Sequence, residues 1–157
     1  MIVEQATTGD GPAILRITRA VGVFSDEEVN CVAELWKDYV NHNLGGDYHF
    51  IVCRQADQAL GYVCFGHKAL TEGTWDLYWI AVDPHAGSRG VGRKLLAATE
   101  AEVKRRGGYL LLIETSTAPA YAQARQFYEQ AGCKLEAVIE DYYSRGDGLA
   151  LYSKHLG

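Results

Sequence analysis

Asp83-Pro84-His85-Ala86-Gly87-Ser88-Arg89-Gly90-Val91-Gly92-Arg93-Lys94-Leu95-Leu96 decides the reading of this chain. An apolar, β-rich run from Thr74 to Val82 ends just before it, and an amphipathic helical pattern runs from about Gly90 to Arg106. A strand that enters a glycine-rich turn and leaves as a helix makes a natural cradle for phosphate. Glycines let several main-chain N–H groups converge, and the helix N-terminus adds partial positive charge, so a diphosphate needs no large basic patch. Two nucleotide motifs fail: there is no Gly-Lys-Ser/Thr of a P-loop, and Leu95 stands where a Rossmann fingerprint has its third glycine. On this segment alone, a glycine turn with no ligand is the plain alternative.

Working outward, the spacing predicts alternating strands and helices. Asp10 with Gly11-Pro12 reads as an N-cap and first-turn proline for a helix through about Val21, and Ser25 with Glu28 as a capping box for a helix to about Val40. Val29, Val32, Ala33, Trp36 and Val40 fall at helical spacing and form its expected core face. Tyr48 to Arg54 and Leu60 to Gly66 flank a polar turn, the pattern of an antiparallel hairpin. After the helix from Gly90 come a strand from Tyr109 to Thr115, a helix from Pro119 to Ala131, and strands near Leu135 to Glu140 and Leu149 to Lys154. The central strand-helix-strand stretch implies one parallel pair within an otherwise antiparallel sheet, because parallel pairing needs a crossover.

A length of 157 residues, 48% of them hydrophobic, predicts one domain spanning 1–157. Neither a membrane-spanning apolar run nor a signal-peptide pattern is seen, so a cytoplasmic location is expected. Cys31, Cys53, Cys64 and Cys133 are scattered among apolar neighbours without a paired spacing, which predicts buried reduced thiols and no metal site. A net charge of −5 disfavours a nucleic-acid partner. The basic run Lys104-Arg105-Arg106 sits where it complements the dipole at a helix end. Arg145-Gly146-Asp147 reads as a hairpin turn, with Gly146 and Gly148 supplying positive φ.

Two motifs in order resemble those of the GNAT (Gcn5-related) family of N-acetyltransferases over nearly the whole chain. The first is a loop of Gln/Arg-x-x-Gly-x-Gly/Ala form after a strand ending in Ala-Val, here Ala81-Val82 and then Gly87 to Gly92. The second is an Ala-x-x-x-Tyr-x-x-x-Gly helix, here Ala124 to Gly132 with Tyr128 at its centre. Gly87 departs from the usual Gln or Arg, and Tyr121 from a common Asn. The resemblance implies a mostly antiparallel twisted α/β sheet of six or seven strands with a splayed parallel pair and helices on both faces. It implies acetyl-CoA as co-substrate and an amine-bearing acceptor, either a small molecule or a protein amine. No membrane partner is expected, and a homodimer stays open.

By that resemblance the cofactor lies along Ile80, Ala81 and Val82, the loop Gly87, Ser88, Arg89, Gly90, Val91 and Gly92 with Arg93, and Thr115, Tyr121, Phe127 and Tyr128. Tyr128 would protonate the departing thiolate, although an aromatic beside Phe127 is also an ordinary core residue. Acetyl transfer needs a neutral amine, a stabilised oxyanion and a proton for the leaving sulfur. Asp76 is the first candidate base, alternating with Trp75 and Leu77 and so facing away from them, and Glu114 is the second, at a strand's carboxyl end. Either acid could instead be merely solvated. Thr115 and Ser116 could bond the cofactor or cap the next helix, and Tyr78, Trp79, Tyr142 and Tyr143 could line an acceptor pocket or simply pack. A catalytically silent acyl-CoA-binding module on the same fold is the alternative function.

Overall fold

The computed structural model describes residues 1–87 and 89–157; Ser88, one of the expected cofactor contacts, lies outside the described residues. The elements are β1 (Ile2–Gln5), α1 (Gly11–Val21), α2 (Asp26–Asn41), β2 (His49–Gln55), β3 (Gln58–His67), β4 (Thr74–Val82), α3 (Val91–Arg105), β5 (Leu110–Ser116), α4 (Ala122–Gln130), β6 (Lys134–Ser144) and β7 (Asp147–His155). Seven strands form one mixed sheet in the order β1-β2-β3-β4-β5-β7-β6, antiparallel except for the β4–β5 pair. That is the α/β architecture expected from the sequence. None of its described helices is long and apolar enough to cross a membrane.

One core packs α3 and α4 against the sheet through Leu95, Val103, Leu111, Ile113 and Tyr152. The other packs α1 and α2 against the opposite face through Ile14, Ile17, Val32, Tyr39 and Tyr62. Along β4, Trp75 and Leu77 point into the first core. The pairing of β4 with β3 then slips, with Cys64 opposite Trp79 but Phe65 opposite Leu77, so Tyr78 is the extra residue of a β-bulge. Beyond it the alternation is reset: Ile80 and Val82 face the first core, while Trp79 and Ala81 face the second. The same bulge marks the place where β4 stops pairing with β5, whose register covers only Thr74 to Leu77.

Several local expectations are corrected. Strand β1 lies outside the runs read as strands, and β6 and β7 extend further than their apolar stretches. The helix expected from Pro119 breaks into a 3-10 turn (Pro119–Tyr121) and α4. Asp10 precedes α1 but does not cap it; its carboxylate takes hydrogen bonds from the Thr7 N–H at 2.8 Å and from both Arg54 terminal nitrogens at 3.0 and 2.9 Å. The capping box at Ser25 and Glu28 is present, both bonds 3.1 Å. Ala33, Trp36 and Val40 are only partly buried, and Tyr39 supplies the core contact they were expected to make. Cys31 is exposed, unlike the other three free cysteines. Gly146 has φ +82, but Gly148 is not left-handed: a Cβ there would meet the Ile139 carbonyl at 2.8 Å, so close approach explains that glycine.

Candidate functional site

Past Leu77 the carboxyl ends of β4 and β5 diverge and leave a cleft between them. The Asp83 N–H donates to the Leu60 carbonyl at 2.8 Å, and Ala81 opposes Tyr62, so residues 79, 81 and 83 turn their main-chain groups toward β3. By alternation Ile80 and Val82 present theirs to the cleft, whereas Ala81, also expected to touch the cofactor, spends its main chain on β3. Among the described residues the cleft wall is thus a strand edge that pairs with no neighbouring strand, suited to an extended amide-bearing ligand.

That edge leads into the glycine loop. Asp83 caps a 3-10 turn (Pro84–Ala86) by accepting the His85 N–H at 2.9 Å. Gly87 and Gly90 then take φ of +70 and +74, values disfavoured for any residue with a Cβ, and Gly90 is the N-cap of α3. The Arg that resembles the family loop more closely at position 87 would be strained there. Arg89 is turned back onto the Ala86 carbonyl at 2.6 Å and the Gln55 side chain at 2.5 Å. Val91 is buried in the core, while Arg93 and Lys94 are exposed on the first turn of α3. A Cβ on Gly92 would lie 3.2 Å from the Phe127 ring, so this glycine lets α4 close on the start of α3.

Tyr128 stands on the α3/α4 side of the sheet, buried between Phe127 (5.5 Å between ring centroids) and Tyr152 (5.9 Å). Burial pushes its hydroxyl well above the ordinary tyrosine value, so it keeps its proton at neutral pH. Thr115 is buried at the end of β5. Ser116 is committed elsewhere: its hydroxyl donates to Asp147 and accepts from the Ala118 N–H at 2.9 Å, which is the capping alternative. Tyr121 donates to the Val23 carbonyl at 3.4 Å.

Asp76 and Glu114 lie on the opposite face from Tyr128's. Asp76 is partly buried, and burial raises its carboxyl, an effect reduced by Lys68 at 3.8 Å and by the Tyr78 hydroxyl. Glu114 is exposed beyond the point of divergence. The Tyr143 hydroxyl is raised to about 12, by burial first and then by the negative charge of Glu114 nearby. The four aromatics that could line an acceptor pocket or simply pack form separate contacts. Tyr78 meets Tyr48 at 5.6 Å, Tyr142 meets Tyr143 at 4.9 Å, and Trp79 meets Phe24 at 5.1 Å.

Phe24, Lys68 and Arg125 escaped the sequence reading. Phe24 joins Trp79 on β4 to Tyr121 (6.5 Å) beyond β5, so the α1–α2 connection bridges both sides of the cleft. Its only sequence signal is an apolar residue just before the cap Ser25. Arg125 holds the carbonyls of Ser116 and Ala118 at 2.7 and 2.9 Å, fixing the end of β5. Among the described residues no group of His, Cys, Asp or Glu is arranged to hold a metal ion.

Comparison with known proteins agrees with this geometry. The family model described as an acetyltransferase (GNAT) domain matches residues 46–133. The chain is 29% identical over 142 residues to the ribosomal protein bS18-alanine N-acetyltransferase of Salmonella typhimurium, covering 90% of this chain and 86% of that one. A crystal structure from Desulfovibrio desulfuricans, of a protein assigned to the GNAT family, superposes with a TM-score of 0.95 at 38% identity, covering 99% of both chains. The structure of yncA from Salmonella typhimurium with its cofactor acetyl-CoA has a TM-score of 0.77 at 19% identity, over 99% of this chain and 94% of that one.

Proposed function

Because the chain belongs to the GNAT family of acetyltransferases, we propose that it is a single-domain enzyme that transfers the acetyl group of acetyl-CoA directly to a primary amine in a ternary complex. The observation that carries this reading is the parting of β4 from β5 after Leu77. It leaves the main-chain edge of Ile80 and Val82 open, with the glycine loop at one end, a protonated tyrosine on one face and two carboxylates on the other.

Acetyl-CoA fits the groups present. The loop from Gly87 with the start of α3 receives the diphosphate, and the β4 edge pairs with the amides of the pantetheine arm. What the co-substrate supplies is an activated acetyl thioester. Asp76, directly or through water, takes the proton of the incoming ammonium so that the amine can attack. Main-chain donors on the β4 edge take up negative charge on the carbonyl oxygen. Tyr128 gives its proton to the departing sulfur as the C–S bond breaks, and the acetylated nitrogen sheds its remaining extra proton to water. Glu114, exposed beside Tyr143, orients the acceptor and is the second candidate for the base.

The test is calorimetric titration with acetyl-CoA followed by thiol release over a panel of primary amines. Binding with release from one amine class supports the enzyme and names its acceptor. Binding without release favours a silent acyl-CoA-binding module, and no binding overturns the reading of Gly87 to Gly92.

A further inference from the structure

We infer that Arg16, on α1, is a positioning residue for the phosphate-binding loop, acting through Asp83. The inference rests on reading that loop as the acetyl-CoA site. Asp83 is the first residue after β4, and its carboxylate is 4% exposed. It serves two masters: Oδ1 accepts the His85 N–H at 2.9 Å and so holds the turn at Pro84–Ala86, while Oδ2 accepts a hydrogen bond from the Arg16 guanidinium at 3.0 Å. Among the described residues, Arg16 is the cation within ion-pair distance of this buried carboxylate. A buried carboxylate with no countercharge is costly, so Arg16 supplies the countercharge and, by holding Oδ2, keeps Oδ1 aimed into the turn.

Arg16 projects from a fixed base. Ile14 and Ile17 beside it are fully buried, and the Thr18 hydroxyl bonds both the Ile14 carbonyl and the Tyr62 hydroxyl at 2.7 Å. The Arg16 side chain itself is 49% exposed, so filling the core is not its main role. It lies 67 residues from its partner and on the other side of the cleft wall from α3. The His85 N–H, opposed by burial and then aided by Arg16, holds the Asp83 carboxyl below the usual carboxylate range. The Asp83 carboxylate therefore stays ionised to lower pH than an ordinary aspartate.

Without Arg16, Oδ2 loses its partner and Asp83 turns toward water, releasing the His85 N–H. The loop donors are then no longer preorganised for a diphosphate, while Ile80, Val82 and Tyr128 stay in place. The expected signature is a loss of cofactor affinity without a loss of turnover.

The experiment compares the unaltered protein with Arg16→Met, Arg16→Lys, Asp83→Asn and the Arg16→Met/Asp83→Asn pair. It measures acetyl-CoA binding by calorimetry, and kcat and KM with acetyl-CoA and with acetyl-pantetheine, which has no diphosphate. Arg16→Met should weaken acetyl-CoA binding about tenfold, the scale of one charge-assisted hydrogen bond. At saturation kcat should hold within about twofold, and acetyl-pantetheine kinetics should not change. Arg16→Lys should recover part of the affinity, and the double variant should be no weaker than the worse single one. Unchanged acetyl-CoA affinity, or equal losses for both thioesters, overturns the inference while leaving the cofactor reading intact. If Arg16→Met does not fold, Arg16→Lys must still show the selective loss or the inference fails. Absence of acetyl-CoA binding by the unaltered protein overturns the cofactor reading and this inference together.

Discussion

Asp76 and Glu114 share one face of the sheet but stand on either side of the point where β4 leaves β5. Asp76 pairs with Leu112 inside the parallel ladder, and Glu114 lies two residues further along β5, past its last partner on β4. The first is partly buried beside Lys68; the second is exposed. Two carboxylates so placed have different work available to them, and their substitution separates a base from an acceptor contact.

If Asp76 is the base, the active form is its carboxylate, and burial sets its titration above the ordinary aspartate value despite Lys68 and Tyr78. The rate should then fall as pH drops through that raised value. Asp76→Asn should lower kcat by about 10²-fold and flatten the acid limb of the kcat/KM profile. Lys68→Met, which removes the opposing charge, should move that limb to higher pH. A normal acid limb in Asp76→Asn, with its loss in Glu114→Gln, would transfer the role to Glu114.

Tyr128→Phe keeps the ring contacts with Phe127 and Tyr152 and removes only the proton donor. Thiol release at saturation should fall by about 10²-fold, within the range of general acid catalysis. Acetyl-CoA affinity and the melting temperature should change little. Equal turnover in the two proteins would assign Tyr128 to the core alone.

Gly87 tests the loop by conformation. Among the described residues no atom outside its chain neighbours stands within 4 Å of a Cβ built there, so the cost of Gly87→Ala comes from its backbone, φ +70 with ψ −171, and should be about 1–3 kcal/mol. Calorimetry should show weaker acetyl-CoA binding for Gly87→Ala. Gly87→Arg, which makes the loop resemble the family pattern more closely, should bind no better than the alanine variant.

Asp10 and Arg54 test the fold away from the cleft. Arg54→Met would leave the buried Asp10 carboxylate without its countercharge and should cost about 3 kcal/mol in denaturant unfolding. Burial raises the Asp10 carboxyl, but the Arg54 and Thr7 hydrogen bonds outweigh it and the net value is lowered. A lowered folded value means the pair stabilises fully above the ordinary aspartate titration and loses its contribution as pH falls through the folded one. Asp10→Asn should therefore remove part of the acid-induced fall in stability.

Local chemistry was enough to read the alternation of strands and helices, the capping box at Ser25, the hairpin of β2 and β3, and the strand-glycine-helix segment from Thr74 to Arg105. Each depends on periodicity or on backbone freedom within a few residues, which the sequence states directly. The same holds for the side Asp76 faces, set by its alternation with Trp75 and Leu77. Tertiary structure decided the rest. The bulge at Tyr78 exists because β4 pairs with β3 in two registers, and no pattern within β4 predicts it. Asp10 was drawn from its helix by Arg54, Phe24 reached Trp79 across the cleft, and Arg16 found Asp83 67 residues away. Such contacts form only when distant segments are packed together, and the free energy that selects them belongs to the assembled sheet and its two cores.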